Sequence, residues 1–306
     1  MGGPEGIRPR TGSNPAVGRA FSTGRREPYA RTSPIYSVVR IVPRRVRKRA
    51  FGRDPDAYDR ARLAYPPQIY EILTTRCDLR PGTSVFEIGP GTGIATRALL
   101  RLGAGPMTLV EPDRRLARYL TKRLGTQTGR VRILAEPFER VRLSRGEFDL
   151  GVAATSFHWL PERFALRKVA RALKSGGWWA TWNNHHGDPY RPSPFQRAVQ
   201  PLYRELYGPS TKGPAKARAV KDRRDRLRAL GAVGMFDRIS REDVRWAVTL
   251  RTARVRALWG TFSEVVTLPP KKREWFLAEI GRVVDDQFGG KVEIPMLTPI
   301  YTARRV

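Results

Sequence analysis

The chain has a single cysteine, Cys77, and three histidines, His158, His185 and His186. One thiol excludes an intramolecular disulfide and a cysteine-built zinc cluster and suits a reducing compartment, so a cytoplasmic location is expected. The histidines have no third ligand at metal-binding spacing, so no metal site is expected, and His185 and His186 are read as loop residues facing solvent or substrate. Acidic residues are scarce as well, 28 against 58 Lys and Arg, which gives a net charge of +30. No apolar run approaches about 18 residues, so no transmembrane helix is expected. Solenoid or propeller periods are also missing.

The charge is a weak guide to partners. Arginine outnumbers lysine by 48 to 10, a bias that a GC-rich genome produces without any nucleic-acid partner. Residues 1–50 hold twelve basic residues against Glu5 and Glu27, are rich in Gly, Pro, Ser and Thr, and show no sustained period. They read as a basic, disordered extension. Arg44 to Arg49 could touch phosphate, anionic lipid or an acidic partner, and a transit peptide or a wrongly extended start are the alternatives. Removing its surplus of ten leaves +20 on the rest. A second run from Lys212 to Arg228 includes Lys216, Arg218, Lys221, Arg223, Arg224 and Arg226, and reads as a solvated helix or a binding patch. No stacking aromatics interleave it and no RNA-binding module appears. Nucleic acid stays open as a partner without being favoured over a small molecule.

Against these absences stands one dense stretch, Thr-Ser-Val-Phe-Glu-Ile-Gly-Pro-Gly-Thr-Gly, at residues 83–93. Val85, Phe86 and Ile88 predict a buried parallel strand and Ile94 to Leu102 a helix, so the glycines occupy the loop between them. Gly89, Gly91 and Gly93 remove the Cβ atoms that would stop a backbone bend from closing on a nucleoside. A dinucleotide loop wants Gly-x-Gly-x-x-Gly, but Ile94 follows Gly93 and that fingerprint fails. Glu87, two places before the first glycine, can meet a ligand's ammonium group or order water near it. A second strand, Met107 to Val110, ends in Glu111, 24 residues beyond Glu87. A carboxylate at that tip can accept from both ribose hydroxyls; the alternative is an acidic residue starting the helix after Pro112 and Asp113.

Val131 to Ala135, Phe148 to Ala154 and Trp178 to Trp182 predict three further strands, with a helix over Arg163 to Leu173 stopped by Lys174-Ser175-Gly176-Gly177. Alternating strands and helices with right-handed crossovers give an α/β fold, a doubly wound, Rossmann-like, mostly parallel sheet with helices on both faces. Beyond it, Pro194 to Tyr207, Thr252 to Phe262 and Lys271 to Phe288 predict helices, Val244 to Leu250 and Met296 to Ala303 strands, and Gly289-Gly290 the turn back into the sheet.

The order Glu-Ile-Gly-Pro-Gly-Thr-Gly, Val-Glu-Pro, Phe-Asp-Leu-Gly-Val-Ala-Ala-Thr-Ser-Phe-His-Trp and Leu-Lys-Ser-Gly-Gly resembles the class I methyltransferases that use S-adenosylmethionine. Within them it is similar to the small-molecule branch of the trans-aconitate methyltransferase type. Tyr58 to Pro67, Pro194 to Tyr203 and Pro295 to Tyr301 resemble the same group, so the likeness runs from about residue 51 to the end. The resemblance implies S-adenosylmethionine as cofactor, a seven-stranded sheet with an antiparallel last strand, and a helical lid near the C-terminus. The domain then spans 51–306, with a cofactor-binding core at 51–185 and lid helices and the last two strands at 186–306. It also implies that Glu87, Gly89, Gly91, Gly93 and Glu111 bind the cofactor and that the turn at Glu136 and Phe138 flanks its adenine. Tyr58 and Arg62 would approach its methionine end; otherwise Arg62 is a solvated helix residue among Arg53 and Arg60.

A sulfonium methyl is already activated, so transfer needs mainly an acceptor atom held about 3 Å from the carbon and water kept out. A carboxylate acceptor needs no base. For a hydroxyl or amine, His158 after the fourth strand is the candidate base, the alternative being a histidine that fixes its loop. An Asn-Pro-Pro-Tyr signature of exocyclic-amine methylation is missing where the chain has Ala154-Thr155-Ser156-Phe157. The expected function is O-methylation of a small, anionic acceptor. RNA methylation, and polyanion binding without turnover, are the alternatives.

Overall fold

Val85–Ile88 (β1) is buried at all four positions, as a strand covered on both faces must be. The computed structural model describes residue 52, residues 54–208 and residues 215–306, all within the unit Val38–Val306. The expectations for residues 1–50 and for the start of the basic run at Lys212 fall outside the described residues.

β1 pairs in parallel with β2 (Met107–Val110) and with β4 (Phe148–Ala154), Val85 lying opposite Met107 and Leu150. β3 (Val131–Leu134) adds beyond β2, and β5 (Leu173–Trp182) beyond β4. The order β3-β2-β1-β4-β5 changes winding direction between β1 and β4, where α/β sheets open their ligand crevice. On one face Ile69 and Leu73 of α2 (Pro67–Arg76), Leu99 of α3 (Ile94–Arg101) and Leu120 of α4 (Arg114–Leu124) pack against Val85, Leu109 and Leu150. On the other, Leu166 and Val169 of α5 (Glu162–Ala172) cover Phe86 and Trp179. Each such apolar side chain contributes roughly 1.5–3 kcal/mol on burial.

Two expectations change in detail. α5 ends at Ala172 and β5 starts at once with Leu173, so Lys174 to Gly177 form a bulge between the pairs Phe148–Leu173 and Leu150–Trp178 rather than a loop before the strand. The sheet also holds eight strands among the described residues, not seven. The extra one is β6 (His185–His186), expected as loop, which pairs antiparallel with Leu297 and Met296 of β8 (Lys291–Arg305). β8 runs antiparallel to β5 through Trp182–Ile300, and β6 continues along that same edge. β7 (Phe236–Arg251) takes the opposite edge.

The lid has a core of its own. Phe195 and Val199 of α6 (Pro194–Tyr207) and Val255, Leu258 and Trp259 of α8 (Thr252–Trp259) pack with Val265 of α9 (Ser263–Val266). Phe276, Ile280 and Val284 of α10 (Pro270–Phe288) complete the cluster. A capping box starts α6: Ser193 Oγ accepts from Gln196 N at 3.1 Å and Gln196 Oε1 accepts from Ser193 N at 2.9 Å. The basic run continues as α7 (Ala215–Ala232), which docks through Leu227 and Leu230 and leaves Arg224 and Arg228 two-thirds exposed. No helix among the described residues is long and apolar enough to cross a membrane.

Candidate cofactor cradle and acceptor corner

At the carboxyl end of β1 the chain turns through three left-handed glycines, with φ of +65° at Gly89, +60° at Gly91 and +83° at Gly93. Their neighbours differ. A Cβ on Gly89 would lie 2.6 Å from Ser156 Cβ, and one on Gly93 would lie 2.5 Å from Leu120 Cδ1. At Gly91 nothing lies within 4 Å, so this side-chain-free bend opens onto empty space. That is the shape a nucleoside needs for close approach to the backbone.

Two buried carboxyls flank the bend. Thr96 Oγ1 donates to Glu87 Oε2 at 2.7 Å, while Glu87 Oε1 is buried without a partner. Burial pushes Glu87 up to about 7, with Glu111 adding to the rise and Thr96 opposing it. Glu111 Oε2 accepts from Gly91 N at 3.0 Å and its Oε1 from Asp113 N at 2.9 Å. Burial raises Glu111 to about 7 as well, against the pull of those two bonds. Asp113 caps α4 by accepting from Arg115 N at 2.9 Å. Glu111 therefore fixes both the loop and the start of α4, and each of its oxygens keeps a lone pair for a sugar hydroxyl. An orphaned buried oxygen, an open glycine bend and a carboxyl at the next strand tip fit an adenosyl ligand with an ammonium group.

Helix α1 (Pro55–Ala61) joins this cradle to the lid. Arg97 of α3 reaches Asp59 of α1 at 3.0 Å and the Thr92 carbonyl at 2.7 Å. On the lid side Arg254 of α8 donates to the Arg60 carbonyl. Arg62 Nη2 donates to the Thr261 carbonyl at 3.1 Å, and its guanidinium lies 4.9 Å from the Tyr58 ring and 5.3 Å from the Phe262 ring. Just beyond, Tyr65 and Thr155 share a hydroxyl–hydroxyl bond of 2.9 Å, with Thr155 in the left-handed region at φ +57°.

The remaining expected residues follow segments that border the bend, Glu111 N donating to the Leu134 carbonyl and Ser156 Oγ to the Ile88 carbonyl. His158 is exposed on the one-turn segment Phe157–Trp159, its ring 4.9 Å from Trp159. Glu136 is exposed past β3. Phe138 is buried in the core with Lys168 Nζ 4.9 Å from its ring centre, and Lys168 also donates to the Phe138 and Val141 carbonyls.

His186, read as a loop residue facing solvent or substrate, lies on β6 beside the aromatic rings of the lid. Its imidazole lies 4.6 Å from Phe262 and 6.2 Å from Trp259, and its Nε2 is shut off from solvent without a partner. Burial pushes His186 down to about 3, with Arg62 and His185 adding to the fall. Only the unusual His-His pair hinted at it. No group of side chains suited to a metal ion exists among the described residues.

Residues 86–181 match the family model described as a methyltransferase domain. An uncharacterized methyltransferase of Schizosaccharomyces pombe is 24% identical over 264 residues, covering 84% of this chain and 98% of the relative. One from Mycobacterium tuberculosis is 31% identical over 128 residues, 42% of this chain and about half (49%) of the relative's length. The solved structure of Haemonchus contortus phosphoethanolamine N-methyltransferase 2, in complex with phosphomonomethylethanolamine and S-adenosylhomocysteine, superposes with a TM-score of 0.50. That match has 14% identity over 84% of this chain and 60% of the other, a likeness of fold.

Proposed function

Because the chain belongs to the class I S-adenosylmethionine-dependent methyltransferases, we propose that it transfers the cofactor's methyl group to an oxygen of a small, anionic acceptor. Bound S-adenosylmethionine supplies an activated methyl; the protein's part is to hold, orient and keep water out. In this reading the bend at Gly89, Gly91 and Gly93 lies against the adenosyl group, Glu111 takes the ribose and Glu87 faces the ammonium.

The observation that carries the reading is the open bend at Gly91 set between two buried carboxyls, one with an unpartnered oxygen. The lid, with a core of its own and ties to the segment at Arg60 and Arg62 that ends α1, supports a small acceptor. A second reading, methylation of RNA, draws support from the exposed arginines of α7.

Methyl-donor consumption over a panel of small carboxylic acids tests the proposal. Turnover of at least one acid is expected; intact cofactor binding with no acid turned over sinks it. RNA affinity measured against salt separates the second reading, because contacts to phosphate alone fade steeply as salt rises.

A further inference from the structure

Two buried nitrogens without partners, Nε of Arg62 and Nε2 of His186, belong to one aromatic corner. Phe262 is common to both, 5.3 Å from the guanidinium carbon and 4.6 Å from the imidazole centre, and Trp259 and Tyr58 complete the walls. Thr261 holds one arm of the guanidinium at 3.1 Å, which fixes the side chain and leaves Nε a donor with no acceptor. A buried donor without a partner costs about 1–3 kcal/mol, and more when charged. Two of them against one ring call for a ligand that supplies acceptors to both.

Resting on the reading of the chain as a methyltransferase of small anions, we propose that Arg62 and His186 form the acceptor site. The acceptor is a carboxylate on an apolar body, with its oxygens held by Arg62 Nε and His186 Nε2 and its body against Phe262 and Trp259. Arg62 then serves the acceptor, not the methionine end of the cofactor. The imidazole, in the tautomer with its proton on Nε2, donates to the acid and is a poor base, because burial beside Arg62 lowers its affinity for a proton. A carboxylate is the acceptor that needs no base. One of its oxygens bonds to the methyl carbon as the carbon–sulfur bond breaks, the electron pair stays on sulfur, and no proton is released. The ester formed has lost the charge that paired with Arg62, so product is held less tightly than acid.

The test titrates phenylacetate, hexanoate, their amides and their methyl esters into full-length protein saturated with S-adenosylhomocysteine. At least one acid is expected to bind about tenfold or more tightly than its amide and its methyl ester, which is about 1.4 kcal/mol. Arg62→Met should abolish that preference and His186→Phe weaken acid binding at least fivefold, with S-adenosylhomocysteine affinity within about threefold of wild type in both. Arg62→Lys, which keeps the charge without the fork, should retain a reduced preference, and stands in should Arg62→Met not fold. Acids that bind no better than amides to the wild type overturn the proposal. So does an Arg62→Met protein that loses S-adenosylhomocysteine as steeply as acid, since that returns Arg62 to the cofactor. Wild-type protein that ignores S-adenosylhomocysteine altogether refutes the methyltransferase reading instead.

Discussion

Glu87 offers a quantitative test of the cofactor cradle. Its carboxyl is buried, has one oxygen without a partner and is raised by burial to about 7. If a cationic ligand settles beside it and restores the ordinary value of about 4.5, binding and deprotonation are coupled. For one site moving from about 7 to about 4.5, the affinity for S-adenosylmethionine rises about tenfold between pH 6 and pH 8, roughly 1.4 kcal/mol. Binding then releases about 0.9 proton at pH 6 and about 0.1 at pH 8. Calorimetry in two buffers of different ionisation enthalpy measures both quantities. Glu87→Gln keeps an acceptor for Thr96 and cannot titrate, so its affinity should be flat across the range. Wild-type affinity that is itself flat, with no proton release at pH 6, refutes the placement of a cation at Glu87.

Glu111→Ala strips the acceptor from both Gly91 N and Asp113 N, at about 1.5–3 kcal/mol per bond to a charged group. Cofactor affinity should fall at least about 100-fold by calorimetry, and unchanged binding removes Glu111 from the site. Alanine at Gly89 and at Gly91 should separate stability from binding. Both place a side chain at positive φ for roughly 1–2 kcal/mol, but only the Gly89 Cβ meets Ser156 at 2.6 Å. Thermal unfolding should therefore drop further for Gly89→Ala, while Gly91→Ala, whose Cβ enters the open bend, should lose mainly cofactor affinity; a Gly91→Ala protein that binds like wild type contradicts the cradle. The ligand-free protein should also lose stability as pH rises. Glu87 and Glu111 both titrate higher when folded, so their contribution is full below about 4.5 and is lost as pH passes about 7. Urea unfolding at pH 5 and pH 8 measures the fall, and equal stability at both contradicts the burial of these carboxyls.

The cradle was legible because its signals are local. An apolar run, three alternate glycines and an acid at the next strand tip fix conformation and chemistry within 25 residues, and β1, β2 and α3 fall where the spacing predicts. β6 was not legible, since two residues carry no period and their pairing depends on backbone that β8 presents more than a hundred residues later. β7 reads only from Val244 in the sequence because the alternation before it is broken, with Arg238 at φ +43° and a register shift between Asp237 and Ser240. Phe138 was placed near the adenine by resemblance alone; its burial in the core, where Lys168 ties down the surrounding carbonyls, depends on contacts from α5 that no local pattern announces.

The acceptor corner shows the same limit from the side of function. Arg62 comes after α1, His186 from a strand that exists only through β8, and Phe262 from the turn between α8 and α9, so no spacing within one segment carries them. What joins them is the lid core: Trp259 packs edge-on to Phe195 at 5.5 Å and lies 5.1 Å from Phe262, which seats the ring between guanidinium and imidazole. The cofactor half of the site is thus set by one βαβ unit of the kind many methyltransferases can hold. The acceptor half depends on how α6, α8 and α10 pack, and substitutions in that packed cluster, even without touching a ligand, should alter which acid is accepted while leaving cofactor affinity in place.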